Sequence, residues 1–161
     1  PAVKPAAEAT RTGVIGVLTT QATADGALYR RVVEHYAAGV QVITQVAPEL
    51  VMLVEQGTQN TSEGIAILRA YVEPMIKAGA DQIVLACTHF PFLKASLQAI
   101  TSIPLVDPSA AVARQVARVL PSKMDGLEGE NRYFTSGAPE PFESALLRLL
   151  GVQANAIGVS E

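Results

Sequence analysis

The sequence predicts an α/β fold built on a parallel sheet. Short apolar segments rich in β-branched residues alternate along the chain with longer segments of helical periodicity, and Gly or Pro residues separate many of them. Such alternation is typical of βαβ units, in which right-handed crossovers connect parallel strands. Of the 161 residues, 49% are hydrophobic but only 5% are aromatic, so Val, Leu, Ile and Ala must fill the core. Layered α/β proteins are built in this way.

The first half of the chain contains two predicted strands. Its elements in order are a helical segment over residues 1–11, a strand over 13–18, a polar loop over 19–23, a helix over 25–38, a strand over 40–45 and a helix over 48–56. Asp25 is the expected N-cap of the helix that ends before Gly39. Pro48 suits a first helical residue, and Gly57 is the expected end of that helix.

The second half continues the alternation. Its predicted elements are a helix over residues 62–78, a strand over 82–86, a helix over 91–100, a strand over 104–106, a helix over 109–120, a surface loop over 121–131, a strand over 132–135 and a helix over 141–150. Thr61 or Ser62 is the expected cap of the first helix, and Pro74 predicts a kink or break within it. Asp107 or Ser109 is the expected cap of the third.

Composition excludes several classes of protein. The net charge is −3 and no cluster of Lys and Arg is present, which argues against a nucleic-acid partner. No apolar run approaches the roughly 20 residues that span a bilayer, and no signal peptide is visible. A single cysteine cannot form an internal disulfide, so we expect a cytoplasmic protein. The chain starts at Pro1 without an initiator Met, which indicates a truncated, proteolysed or processed chain.

Two polar clusters follow predicted strands, at residues 19–23 and 87–89. Ligands of open α/β sheets bind outside the carboxyl ends of strands, so both clusters are candidate site residues. A helix beginning at Pro91 would direct its N-terminus at Cys87 and favour the thiolate, and His89 could exchange a proton with it. Spacing alone does not separate a nucleophile from a base. Three alternatives stay open. Cys87 could be buried and only fill the core, His89 could be structural, and Glu55 could be a solvated residue at a helix end.

Several segments resemble glutamate racemases. Residues 85–93, Leu-Ala-Cys-Thr-His-Phe-Pro-Phe-Leu, are closely similar to the family's Cys-Thr-His-Tyr-Pro segment. Residues 15–20, followed by Thr23 and Tyr29, resemble its strand and Thr-rich loop, and residues 48–55 resemble its Pro-x-Leu-Val-x-Leu-Val-Glu helix. Two shorter matches lie at residues 4–6 and 133–137. The matches occur in order over nearly the whole chain.

The chain departs from the family's pattern at four positions. Ala22 and Ala86 replace glycines, Phe90 replaces a Tyr, and Ala47 stands where a Cys often precedes the Pro. None of these changes removes a reacting group. Because aspartate and hydantoin racemases share the framework, a racemase acting on one of those substrates stays open as an alternative.

The resemblance implies a fold and a reaction. Residues 1–103 would form a three-layer parallel-sheet domain of the aspartate/glutamate racemase type. Residues 104–161 would supply returning strands and helices that complete a first domain, whose other part would lie upstream of Pro1. The reaction would interconvert L- and D-glutamate without a cofactor, providing D-glutamate for peptidoglycan. Two thiols would act on opposite faces of the α-carbon, one as base and one as acid.

The resemblance also implies site residues and partners. The catalytic residues would be Cys87, His89 and Glu55, and the substrate-binding residues Thr88, His89, Thr20 and Thr23, with no metal ligand. The partners would be glutamate and the missing N-terminal half with the second Cys, and a homodimer is an allowed assembly. No nucleic-acid or membrane partner is implied. Without the second thiol, the chain alone would be unable to racemise.

Two hypotheses from other functional classes remain for this chain. The chain could be a catalytically inert module that folds but needs its missing half. It could instead be a Cys-His hydrolase with Cys87 as nucleophile, although the sequence shows no third triad member in an obvious place. A zinc site is not expected, because one Cys and one nearby His do not provide four ligands.

Overall fold

The computed structural model describes residues 2–120 and 130–159. The chain divides into two compact units, Pro1–Val119 and Leu120–Glu161. None of the helices within the described ranges is long and apolar enough to cross a membrane.

The first unit is a parallel sheet with helical crossovers. Its elements in chain order are α1 (Val3–Ala9), β1 (Val14–Thr19), α2 (Gln21–Ala24), α3 (Ala27–Tyr36), β2 (Gln41–Val46), α4 (Glu49–Gln56), α5 (Ser62–Lys77), β3 (Gln82–Ala86), a 3-10 helix (Phe90–Leu93), α6 (Lys94–Gln98), β4 (Leu105–Val106) and α7 (Ser109–Val119). The strand order is β2-β1-β3-β4, and every neighbouring pair is parallel. The predicted α/β fold is therefore confirmed.

Helices cover both faces of this sheet. Ile15 and Val17 of β1 pack with Val84 of β3 against α1, and residues of α3 border the same cluster. The alternate residue Gly16 faces the opposite side, where a β-carbon would overlap the Sδ atom of the buried Met75 of α5. Because side chains alternate along a strand, these contacts place α1 and α3 on one face and α5 on the other. The predicted three-layer arrangement is thus present.

The segment after β1 differs from its prediction. Residues 21–24 form the single-turn helix α2 where a loop was expected, and Thr19 belongs to β1. Asp25 was the expected N-cap of α3, which is wrong. Asp25 ends α2 instead, because its main-chain N–H donates to the Gln21 carbonyl at 3.0 Å, and its carboxylate also accepts two hydrogen bonds from Gln21 Nε2, at 3.0 and 2.9 Å. Gly26, with extended backbone angles, is the N-cap of α3.

Two proline-dependent predictions also differ. The helix α5 runs through Pro74 without the break that was one of the two predicted outcomes, because a proline one turn from the helix end removes only one intrahelical hydrogen bond, and the kink stays a prediction. Its predicted cap is confirmed, since Thr61 Oγ1 accepts from the Gly64 N–H at 3.0 Å. The single helix expected from Pro91 is instead a 3-10 helix followed by α6. The Phe92 N–H donates to the His89 carbonyl three residues back, at 3.1 Å.

The second unit contains two strands and a helix. These are β5 (Tyr133–Thr135), α8 (Pro139–Leu150) and β6 (Ala156–Gly158), and the two strands pair in parallel. β5 and α8 were predicted, whereas β6 was not. The predicted loop at residues 121–131 lies mostly outside the described residues. That residues 104–161 complete another domain stays a prediction, although β4 and α7 lie within the first unit.

Asp81 connects the segment after α1 to the start of β3. Its carboxylate accepts hydrogen bonds from Thr10 Oγ1 at 2.5 Å and from the Arg11 and Thr12 N–H groups at 2.6 and 3.1 Å. The Thr10 bond, followed by the Arg11 bond, holds the pKa of Asp81 below its ordinary value of 3.8. A carboxyl whose folded pKa is depressed contributes stability above the unfolded pKa, and this contribution is lost as the pH falls through the folded value.

We therefore expect Asp81→Asn to lower the melting temperature by a few degrees at about pH 7 and by less at about pH 3. Thermal melts followed by circular dichroism measure both values. Asp25→Asn is the matched control, because within residues 2–120 and 130–159 the Asp25 carboxylate accepts hydrogen bonds only from the exposed Gln21 side chain. An equal loss at both pH values would contradict the proposed role of the ionised carboxylate.

Candidate active site

Cys87 lies directly after β3, at the carboxyl end of the two central strands. Thr19 ends the neighbouring strand β1, and its Oγ1 donates to the Ala86 carbonyl at 3.3 Å, which holds the two strand ends together. The thiol is partly exposed and lines a cavity of about 590 Å³. Cys87 is therefore accessible to a small molecule, unlike a cysteine that only fills the core.

His89 links Cys87 to Glu55. Its Nδ1 lies 4.0 Å from Cys87 Sγ, and its Nε2 lies 2.7 Å from Glu55 Oε1 in the last turn of α4. Because an ionised carboxylate can only accept, Nε2 must carry the proton, which leaves Nδ1 facing the thiol. A neutral ring can then take the thiol proton, and a charged ring would lie between a thiolate and a carboxylate. Glu55 is 50% exposed, but it is not merely a solvated helix end.

Thr88 contributes a hydroxyl beside the same ring nitrogen. Its Oγ1 lies 3.5 Å from His89 Nδ1, and the exposed side chain lines the cavity together with Cys87. A hydroxyl can both donate and accept, so Thr88 can bind either a carboxylate or an amino group of a ligand.

The Thr-rich segment after β1 reaches the same cavity. Thr23 of α2 lines the wall, and its Oγ1 lies 3.3 Å from Thr20 Oγ1, the N-cap residue of α2. The structure thus brings together Thr23, Cys87 and Thr88, as their positions after parallel strands predicted. Thr20 is connected to this group through Thr23.

The cavity also has a wall that sequence reasoning missed. It is formed by residues of α3 and α7 together with β3, including Leu28, Val32, Val84 and Val112. Tyr29 lines it as well, and its hydroxyl lies 2.7 Å from Thr44 Oγ1 on β2. Burial raises the pKa of Tyr29, which the hydrogen bond with Thr44 partly offsets. The apolar spacing of α3 and α7 was visible, but it is equally typical of helices that only face a core.

No metal centre accompanies these residues in the described part of the chain. Residues 2–120 and 130–159 contain no group of three or more His, Cys, Asp and Glu side chains that could hold a metal ion. The functional groups around Cys87 are therefore a thiol, an imidazole, a carboxylate and hydroxyls.

The sequence matches one family and many of its members. The family model described as Asp/Glu/Hydantoin racemase matches residues 1–116. The chain is 43% identical over 156 residues to a glutamate racemase of Roseiflexus sp., covering 92% of this chain and 57% of that protein. It is 42% identical over 160 residues to a glutamate racemase of Ectopseudomonas mendocina, covering 96% of this chain and 60% of that protein. The chain thus spans somewhat more than half the length of these relatives.

Solved structures show the same fold. A glutamate racemase isoform from Bacillus anthracis superposes with a TM-score of 0.84 at 25% identity, over 99% of this chain and 62% of that one. The Escherichia coli glutamate racemase, in complex with L-glutamate and an activator, superposes with a TM-score of 0.81 at 26% identity, over 100% of this chain and 64% of that one. With a family match over residues 1–116 and this likeness of fold, the chain belongs to the Asp/Glu/Hydantoin racemase family.

Proposed function

We propose that this chain supplies the Cys87 side of a cofactor-independent racemase that interconverts L- and D-glutamate. The observation that carries the proposal is the contact chain from Cys87 through His89 to Glu55, of which Cys87 lines a cavity at the carboxyl end of β3. The identity of 43% to a glutamate racemase supports the choice of substrate. D-Glutamate made in the cytoplasm would then enter peptidoglycan.

Racemisation requires the transfer of a weakly acidic α-proton from one face of the carbon to the other. In one direction the Cys87 thiolate accepts this proton, and a second thiol donates a proton to the opposite face. In the other direction the Cys87 thiol is the donor. His89 Nδ1 exchanges protons with Cys87 between turnovers, and Glu55 holds the ring in the required tautomer.

The remaining groups bind the substrate. Thr88 and Thr23 line the cavity, and the hydroxyl of Thr20 contacts that of Thr23 and orients it. They bind the amino acid's carboxylate or amino group and so hold the α-carbon beside Cys87 Sγ. The second thiol comes from a segment outside this chain, and residues 104–161 complete the domain that carries it. A homodimer is a further proposal, which a solution mass measurement tests.

A second candidate substrate is a hydantoin, which the family description includes. One observation favours it. Among the residues that the structure describes, those that line the cavity include no Lys or Arg, whereas the second carboxylate of glutamate would gain from a cationic partner. An uncharged ring has no such requirement.

The test compares L-glutamate, L-aspartate and a hydantoin, with loss of optical activity as the measurement. It uses this chain alone and a longer protein that joins it to the segment with the second thiol. We expect turnover of glutamate by the longer protein and none by the chain alone. Racemisation by the 161-residue chain would contradict the two-thiol proposal, and a preference for a hydantoin would contradict the substrate.

A further inference from the structure

We propose that Cys87, His89 and Glu55 also form a nucleophilic unit that hydrolyses small uncharged activated esters through an acyl group on Cys87 Sγ. This activity needs neither a second thiol nor an acidic substrate, so it goes beyond the proposed racemisation. The sequence showed no third triad member for a Cys-His hydrolase in an obvious place, and Glu55 takes that position in the structure.

The three side chains have the arrangement of a nucleophile, a base and an orienting group. Cys87 Sγ lies 4.0 Å from His89 Nδ1, and Glu55 Oε1 accepts from Nε2 on the other side of the ring at 2.7 Å. Triads are recognised by these roles and this geometry rather than by the order of the residues in the sequence. The contact between sulfur and nitrogen is long, as such contacts often are before a substrate binds.

Hydrogen-bond donors follow the nucleophile directly. The Phe90 N–H donates to the Cys87 carbonyl at 3.2 Å, but the main-chain N–H groups of Thr88 and His89 have no acceptor among the described residues. Unpaired main-chain donors next to a nucleophile are the groups that stabilise the oxyanion of acyl transfer. Thr88 and His89 are therefore the candidate donors for this charge.

The cavity selects the class of substrate. Its wall next to Cys87 includes Val84 and Pro91, and Leu28 and Val112 belong to the same wall. In residues 2–120 and 130–159 no charged side chain lines the cavity, and its volume is about 590 Å³. Such a wall favours a short acyl chain or an aryl group over a dicarboxylate.

The reaction balances with water as the second reactant. His89 Nδ1 takes the thiol proton while Sγ forms a bond to the acyl carbon, and the bond from that carbon to the ester oxygen then breaks. The leaving alcohol or phenol takes the proton from His89. A water molecule next attacks the acyl carbon with His89 accepting its proton, and the carbon–sulfur bond breaks to release the acid and restore the thiol.

The test uses 4-nitrophenyl acetate with the 161-residue chain. We expect release of about one equivalent of 4-nitrophenolate followed by continued turnover, and one acetyl group on Cys87 in the intact mass. Cys87→Ala should abolish both. His89→Gln should lower the rate of turnover by about 100-fold, because the base for thiol and water is lost.

Glu49→Gln is the matched control for Glu55→Gln. Both residues lie on α4, but Glu49 contacts Tyr71 rather than His89. We expect Glu55→Gln to slow turnover about 10-fold and Glu49→Gln to leave it unchanged. Circular dichroism shows whether each variant is folded.

Two results would overturn the proposal. One is acylation of Cys87 without further turnover. The other is an equal rate of 4-nitrophenyl acetate turnover in folded His89→Gln and in the unchanged chain. A simple thiol would give either result. The racemase test measures optical activity in a longer protein, whereas this test measures ester hydrolysis by the 161-residue chain. Failure of one proposal can therefore be told apart from failure of the other.

Discussion

Cys87→Ala is expected to lower kcat for glutamate racemisation by at least about 1,000-fold in a protein that joins this chain to the second thiol. Under the proposed mechanism, the substitution removes the thiol that takes or returns the α-proton on one face of the substrate. A factor of 1,000 corresponds to about 4 kcal/mol of transition-state stabilisation. The measurement is the change in optical activity of L-glutamate and, separately, of D-glutamate.

Proton exchange in heavy water separates loss of chemistry from loss of fold. In Cys87→Ala the second thiol can still remove and return a proton on its own face, so exchange should persist for one enantiomer and disappear for the other. Cys87 is only partly buried, so its truncation to alanine should change the melting temperature little. Retention of more than about one tenth of the activity would exclude Cys87 as an acid/base group.

His89→Gln is expected to lower kcat for racemisation by about 100-fold with a smaller effect on KM. The glutamine amide can still donate to Glu55, but it places no titratable nitrogen beside the thiol. The loss should therefore appear in proton transfer more than in substrate binding. Steady-state rates in both directions measure kcat and KM.

Glu55→Gln provides the comparison for this prediction. An amide oxygen can still accept from His89 Nε2, whose present partner lies 2.7 Å away, so we expect a smaller loss than in His89→Gln. Equal losses in the two variants would indicate that the carboxylate charge, rather than the orientation of the ring, determines the rate. A rise in KM with unchanged kcat for His89→Gln would limit His89 to substrate binding.

Local sequence patterns were sufficient for most of the sheet. The predicted strand at residues 82–86 coincides with β3. The reason is that a short apolar run, Ile83–Ala86, follows soon after Gly79, which ends the preceding helix. β6 was missed because Ala156–Gly158 is short and ends in glycine, which strands disfavour. Asp25 was misplaced because the same side chain can cap one helix or end another. In the structure the main-chain N–H of Asp25 donates to the Gln21 carbonyl, which makes this residue the C-cap of α2.

The candidate site was predictable only in part. Cys87, Thr88 and Thr23 follow strands, so the rule for carboxyl ends of parallel strands brings them together. The pairing of Glu55 with His89 spans 34 residues and depends on how α4 packs beside the 3-10 helix, which no local pattern encodes. The aliphatic wall needs α3 and α7 to border the same cavity, and it was unpredictable for the same reason.

The strand order has a consequence for synthesis of the chain on the ribosome. If the strands pair in the order in which they are made, β1 pairs first with β2, which ends at Val46, and its other edge has no neighbour until Ala86 has emerged about 40 residues later. At translation rates of about 5–20 residues per second, this interval is about 2–8 seconds. Throughout it the apolar residues Ile15, Val17 and Leu18 lie beside an open strand edge, which invites pairing with other nascent chains. Because Cys87 directly follows β3, on this order the thiol reaches the carboxyl end of the sheet only when the second edge of β1 is covered.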